Sequence, residues 1–423
     1  MKAGKIAAGV LAVFFIALIF FFGLCGLLKN PTAVFKSVRF SAAQKYLEDP
    51  ADTSFFPMTA ARIESLENRL HKQLPLQDAL SDLNAAIQYG AGKRMLVYDG
   101  QKLVRLPNGQ LYVLCETEDL TRQAQEIIQL RDEIGRDTPF LFSYINPGFF
   151  NGGQQLDAGY ADLEYGAECA QQVLDAVRAA GIETMDSRTF FEGMDYTSDD
   201  LELKTDKHWT TLAALLAAPQ YADKISEMTG VKLDTNRLNL NRFRTEVYPD
   251  LFMGTYGDQI GAVNADLDDI TVWLPEYPTD ITRYTEEREG DVTGASGDFS
   301  QSIFRRDKLA LAEGKTYSTE AYTDYGLIEG FERLTNHGDC ADLTVLVLRD
   351  SYTQPICGFL SLLVRQVVSA DPRYCRYTAT ELYDMVKPDI VVVSFSRLIL
   401  ERHDYDLGID AQLPVAEAPA DES

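Results

Sequence analysis

Basic charge is what this chain most conspicuously lacks. Its 39 Lys and Arg stand against 64 Asp and Glu over 423 residues, a net charge of −25. Nucleic-acid binding needs cations clustered against phosphates, so that class is argued against. Tight adhesion of the main domain to anionic lipid is disfavoured on the same ground. A solvated acidic surface is the plain reading of such a balance. Metal-type cysteine spacing is missing as well. Beyond Cys25 the cysteines are Cys115, Cys169, Cys340, Cys357 and Cys375. They are odd in number and contain no CxxC, which indicates neither a disulfide framework nor a zinc site. No HExxH, GxSxG, Walker loop or SxxK occurs, so no metal or cofactor is implied. The acidic runs near Asp199-Asp200 and Asp266–Asp269 read as solvated loops. Histidine is scarce too, with only His71, His208, His337 and His403.

What the chain does have begins with an uncharged apolar run from Ile6 to Leu28, long enough to cross a hydrocarbon layer of ~30 Å. Lys2 and Lys5 before it suit a cytoplasmic N-terminus, although Lys29, Lys36 and Arg39 follow it. No small-x-small cleavage site comes after it, so an uncleaved transmembrane helix is expected, with the bulk of the chain extracytoplasmic. Residues 1–29 are then tip and anchor, 30–59 a stalk, 60–410 one extracytoplasmic domain and 411–423 a disordered tail.

Within the domain, helical spacing over Ala60–Ile87, broken by Pro75, predicts a helix pair. Short strands fall between Val97 and Val113. Strands and helices then alternate. Strands are predicted at Leu111–Cys115, Pro139–Tyr144 and Ile182–Met185, and helices at Leu120–Ile134, Ala161–Ala180 and from Thr211. An irregular Tyr-, Asp- and Gly-rich middle section covers 232–340. Alternation resumes with strands Leu343–Leu348, Val367–Ala370 and Ile390–Phe395 around helices Ile356–Gln366 and Ala379–Val386. Such alternation predicts an α/β fold with a mostly parallel sheet flanked by helices.

Ligands of open α/β sheets bind beyond the carboxyl ends of the strands. Ser351 lies three residues past the strand Leu343–Leu348, just before a helix, where backbone N–H groups can hold an oxyanion. Asp350 or Ser351 could equally be a helix cap. A serine nucleophile needs a base, usually histidine. His71 and His403 read as surface residues, and His337 sits in a turn. His208 has Asp206 two residues earlier to orient it and Trp209 beside it to shield it.

The run Thr205-Asp206-Lys207-His208-Trp209-Thr210-Thr211 resembles the TDHHWT motif of the bacterial DHHW proteins, themselves similar to the SGNH-hydrolase-like domains of alginate O-acetyltransferases. Val347–Tyr352 resembles their nucleophile strand and turn, Ala370–Tyr374 the segment after it, and Lys387–Val391 the last strand. Asp250–Gly257, with Asp268-Asp269, is similar to their middle section. The resemblance implies an SGNH-hydrolase-like (flavodoxin-like) domain of circularly permuted motif order. In it Ser351 is the nucleophile, His208 the general base and Asp206 the orienting acid. Lys207 replaces the motif's first histidine. Arg349 stands where standard SGNH enzymes have glycine, and could supply positive charge near the oxyanion or pair with Asp350. Asn146 and Tyr256 are further candidates for oxyanion or sugar contact.

The implied activity is a membrane-anchored O-acyltransferase, acetylating a cell-envelope or exported polysaccharide, with a multi-pass membrane acyltransferase as acyl donor. A carbohydrate esterase with the same triad, and a non-catalytic polysaccharide-binding or assembly protein, are the alternatives.

Overall fold

The computed structural model describes residues 77–409, apart from 93–94, 99–100, 116–118, 136, 149–155, 157–159, 161–164, 262–263, 287–291, 324, 326–329 and 404. The expected anchor, stalk, first helix of the N-terminal pair and C-terminal tail therefore lie outside the described residues, as does His71. Among the described residues no helix is long and apolar enough to cross a membrane. The chain divides into two compact units, residues 1–92 and 93–423. In the first, helix α1 (Gln77–Gly90) matches the second half of the predicted pair.

The second unit opens with an antiparallel three-stranded sheet, β1 (Met95–Tyr98), β2 (Gln101–Arg105) and β3 (Leu111–Val113). The alternation follows: α2 (Thr121–Ile134), β4 (Phe140–Ile145), α3 (Gly166–Ala179) and β5 (Glu183–Asp186). A single turn, α4 (Ser198–Leu201), precedes the long helix α5 (Thr211–Thr229). Thr210 caps α5 by accepting from the Ala213 N–H, and Gly230 ends it at positive φ, a conformation side chains resist.

The middle section is more regular than its sequence suggests. β6 (Phe243–Phe252) pairs with β7 (Asp268–Pro275) as a two-stranded ribbon around α6 (Thr255–Ile260). β8 (Ile281–Glu286), β9 (Val292–Gly297) and β10 (Phe331–Asn336) extend the main sheet, with one turn, α7 (Phe299–Ser302), between β9 and β10. These strands carry few apolar side chains (Ile281 and Tyr284, Val292 and Ala295, Phe331 and Leu334), a weaker signal than the apolar runs of the central parallel strands.

The rest is β11 (Ala341–Arg349), α8 (Gln354–Leu360), β12 (Val364–Ala370), α9 (Ala379–Val386), β13 (Ile390–Ser396) and α10 (Arg397–Arg402). Among the described residues the main sheet has eight strands in the order β5-β4-β13-β11-β12-β10-β8-β9. Its first five are mutually parallel, and the last three are antiparallel additions.

Alternation along the central strands feeds two cores. Leu141, Val345, Val347, Ile390 and Val392 face α5 and α8. Phe140, Phe142, Leu346, Leu348, Val391 and Val393 face α2, α3 and α9. Each buried aliphatic side chain contributes roughly 1.5–3 kcal/mol of hydrophobic stabilisation. With both faces covered, the carboxyl edge of the parallel strands is left to build a site.

Candidate active site

Two segments far apart in sequence meet at that edge. The first, Glu202–Trp209, is a tight loop closed by a bridge between Glu202 and Trp209 and by the Leu203 N–H donating to the His208 carbonyl, 3.1 Å. Asp268, at the start of β7, clamps the loop tip. It accepts from the N–H groups of Lys204 (2.6 Å) and Thr205 (2.9 Å) and from the Thr205 hydroxyl (2.5 Å). Burial pushes the Asp268 carboxyl up to about 6, against these donors. The Gly254 N–H donates to the Thr205 hydroxyl, 2.8 Å. A Cβ on Gly254 would lie 2.3 Å from the Asp206 Cβ, so only glycine permits this approach.

The second segment is the turn after β11. Asp350 accepts from the Tyr352 N–H (3.0 Å) and the Ser396 N–H (2.8 Å), tying the turn to the end of β13. Beneath it runs a chain of buried hydroxyls: Ser143 to Tyr221 (2.6 Å), Tyr221 to Ser394 (2.9 Å) and Ser394 to Thr353 (2.7 Å). Two cross-links join the segments. The Trp209 indole N–H donates to the Tyr352 carbonyl, 3.0 Å, and the Tyr352 hydroxyl donates to the Lys207 carbonyl, 2.5 Å.

The result is a linear array. Asp206 Oδ1 lies 2.5 Å from His208 Nδ1, and His208 Nε2 lies 2.6 Å from Ser351 Oγ. Asp206 also accepts from the His208 N–H (3.1 Å) and, through Oδ2, from the Thr255 N–H (2.8 Å). Facing a carboxylate, Nδ1 must carry the ring proton, leaving Nε2 to accept from the serine. Asp206 and His208 are buried and Ser351 is half-buried. Tyr322 stacks on the imidazole with centroids 4.4 Å apart, and Tyr352 covers it at 4.8 Å. Burial lowers the His208 pKa below its ordinary value even though Asp206 pulls the other way. Asp206 stays well below the usual carboxylate range: burial opposes ionisation, but His208, the Lys207 charge and the Thr255 N–H outweigh it.

The other sequence candidates separate. Trp209 is buried against Phe191 and Tyr352. Tyr256 lines a small void with Asp206, Lys207 and Arg397, and burial raises its pKa. Asn146 follows β4 at the same sheet edge, its backbone N–H on the Ser187 hydroxyl (2.8 Å) and its Oδ1 buried without a partner among the described residues. Arg349 lies at the end of β11. Strand alternation turns it with Val345 and Val347 into the core, fully enclosed, with Nε 3.4 Å from the Ser369 hydroxyl. His337 bonds Thr282 (2.8 Å) and His403 bonds Glu126 (2.9 Å), leaving His208 the histidine at Ser351.

Sequence reasoning missed Tyr322 and the clamping role of Asp268. Tyr322 sits in the middle section with no motif around it, and Asp268 read as one acid in a solvated run, its place in the stretch that resembles the DHHW middle section being the signal that could have found it. A cavity of about 320 Å³ shares Trp209 and Tyr322 with the site and is further lined by Asp199, Asp200, Asp269 and Trp273.

An α/β sheet thus carries an aspartate–histidine–serine array at its carboxyl edge, with the serine last in the chain. The comparisons with known proteins agree on the fold. The family model for the SGNH hydrolase-like domain of the acetyltransferase AlgX matches residues 157–293, which hold Asp206, His208 and Asp268 but end before Ser351. A DHHW family protein from Eubacterium siraeum is 18% identical, with a TM-score of 0.53 over 72% of this chain and 93% of its own. PatB1 from Bacillus cereus is 15% identical, with a TM-score of 0.56 over 71% of this chain and 97% of its own. PatB1 has also been solved with a sulfonyl adduct. The chain thus resembles the DHHW proteins in both motif and fold. No curated protein matches it.

Proposed function

We propose that the chain is an O-acyltransferase working through an acyl-serine. Ser351 Oγ attacks an acyl carbonyl as His208 Nε2 takes its proton. The carbonyl oxygen becomes an oxyanion and then re-forms the carbonyl as the leaving group departs with the proton from His208. An acceptor hydroxyl, deprotonated by His208, then attacks the acyl-serine, and His208 returns the proton to Ser351 Oγ as its bond to the acyl carbon breaks. Asp206 keeps the proton on Nδ1 and stabilises the imidazolium formed in each half-reaction.

The carrying observation is the paired contact of His208, 2.5 Å to Asp206 and 2.6 Å to Ser351. An aromatic and carboxylate-lined cavity beside the array suits a carbohydrate acceptor, since rings stack on sugar faces and carboxylates accept from hydroxyls. In the full proposal the acceptor is a cell-envelope or exported polysaccharide. The run Ile6–Leu28 holds the chain to the membrane, and a multi-pass membrane acyltransferase supplies the acyl group.

The test uses the full chain in detergent with an activated acetyl ester, with and without neutral oligosaccharide. Acetate release, acetyl-sugar formation and sulfonyl fluoride labelling of Ser351 are measured by mass spectrometry. Ser351→Ala and His208→Ala are expected to lose at least about 10³-fold in turnover. Turnover persisting in both would defeat the assignment. Free acetate without acetyl-sugar would make the protein an esterase.

A further inference from the structure

Away from the serine, a second group of reactive side chains converges on the opposite core face. Cys115, two residues past β3, and Cys169, in the first turn of α3, have sulfurs 3.5 Å apart. Cys115 Sγ is 2.7 Å from Glu401 Oε1 on α10. The three ligand atoms lie within 4.8 Å of one another, both cysteines are buried, and Glu401 is half-buried. The elements are pinned in this arrangement by backbone as well, since the Tyr165 N–H at the start of α3 donates to the Cys115 carbonyl, 3.0 Å.

Two further groups belong to the cluster. Arg397 donates to Glu401 Oε1 at 2.7 Å and to the Val113 carbonyl at 3.0 Å. Tyr144, on β4, is fully buried, and its hydroxyl has no hydrogen-bond partner among the described residues. It belongs to the same buried cluster as Cys115 and Cys169. A buried phenol left without a partner costs free energy unless something at the site completes it.

We infer that Cys115, Cys169 and Glu401 form a binding site for a borderline-soft divalent cation, zinc by its donor set, with the Tyr144 hydroxyl turned to the metal or to one of its ligands. Two thiolates and a carboxylate suit zinc in preference to magnesium or calcium. Charge balance favours the exchange. Glu401 is already paired with Arg397. Zinc entry releases two thiol protons and adds two positive charges, so the buried cluster keeps its net charge. The site has the position of a structural clamp. It would fasten the end of β3 and the start of α3 to α10, which follows directly from Ser396, the residue whose N–H holds Asp350.

The test takes the full chain purified under reducing conditions, loaded with zinc sulfate and passed through a desalting column. Wild type should retain about one zinc per chain, and so should Ser351→Ala, because the site does not involve the nucleophile. Cys115→Ser, Cys169→Ser and the milder Glu401→Gln should each lower retention at least tenfold. Cobalt chloride in place of zinc should give a near-ultraviolet thiolate charge-transfer band in wild type that is absent from the cysteine variants. Zinc should also shield two thiols of the folded protein from alkylation. Wild type that retains no zinc and shows no cobalt band would overturn the inference, whatever the variants do. So would an intact mass two hydrogens short after non-reducing purification that persists on incubation with zinc, which would make the pair a disulfide.

Discussion

Asp206 and Asp350 invite comparison, because each precedes a residue of the array and each is buried with both oxygens occupied. Among the described residues Asp350 accepts only from backbone, the N–H groups of Tyr352 and Ser396. Asp206 accepts from backbone too, but spends Oδ1 on the imidazole. One carboxylate holds a turn, while the other holds a turn and a proton. Nearness in sequence to a base or a nucleophile therefore says little about chemical role; what the carboxylate oxygens face decides it.

The contrast can be broken by paired substitution. Asp206→Asn presents either an amide oxygen or an amide N–H to Nδ1 and loses the charge, so turnover should fall roughly 10³–10⁴-fold. Asp350→Asn sets an amide N–H against a backbone N–H. It should cost about 1–3 kcal/mol of stability, read as a lowered denaturation midpoint, with turnover reduced much less. Equal turnover losses in the two variants would erase the distinction.

Gly254→Ala tests the packing behind Asp206. Its Cβ would collide with the Asp206 Cβ, and overpacking of this kind costs about 1–3 kcal/mol. We expect turnover to drop on the order of 10–100-fold, since displacements near 1 Å carry penalties of that size.

The pH profile sharpens the comparison further. Neutral His208 is the base, and its pKa is lowered by burial. Turnover should rise with pH through a midpoint below about 6.5 and then stay flat. The residual activity of Asp206→Asn should show a lower midpoint, because the carboxylate that favours the imidazolium is gone. In Asp350→Asn the midpoint should move less. A midpoint above the ordinary histidine value in wild type would contradict the burial argument. Trp209→Phe should have the smallest effect. It loses the indole bond to the Tyr352 carbonyl, about 1 kcal/mol, and a few-fold of turnover.

The parallel half of the fold was legible because its strands are buried on both faces and read as short apolar runs between helical stretches. Helix α9 begins and ends where its pattern does, at Ala379 and Val386. The pattern predicts a helix through Gln366, whereas α8 stops at Leu360 and β12 begins at Val364. Leu362, Leu363 and Val364 are apolar and buried in either conformation, so periodicity could not divide them. The antiparallel additions β8–β10 were lost in a section rich in Tyr, Asp and Gly. Of the site, Asp206 and His208 were readable because one residue separates them, and local backbone geometry brings them together.

By itself the sequence determined the α/β alternation, the placement of Ser351 beyond a strand's carboxyl end, and the Asp-x-His pair. All three are short-range, set by periods of two and 3.6 residues and by chain neighbours. The tertiary structure alone decided which distant groups meet. It brought His208 to a serine 143 residues away and laid Tyr322 on the imidazole. It turned Arg349 into the core and drew Cys115, Cys169 and Glu401 together. Those meetings depend on sheet order and helix packing, which no local spacing encodes.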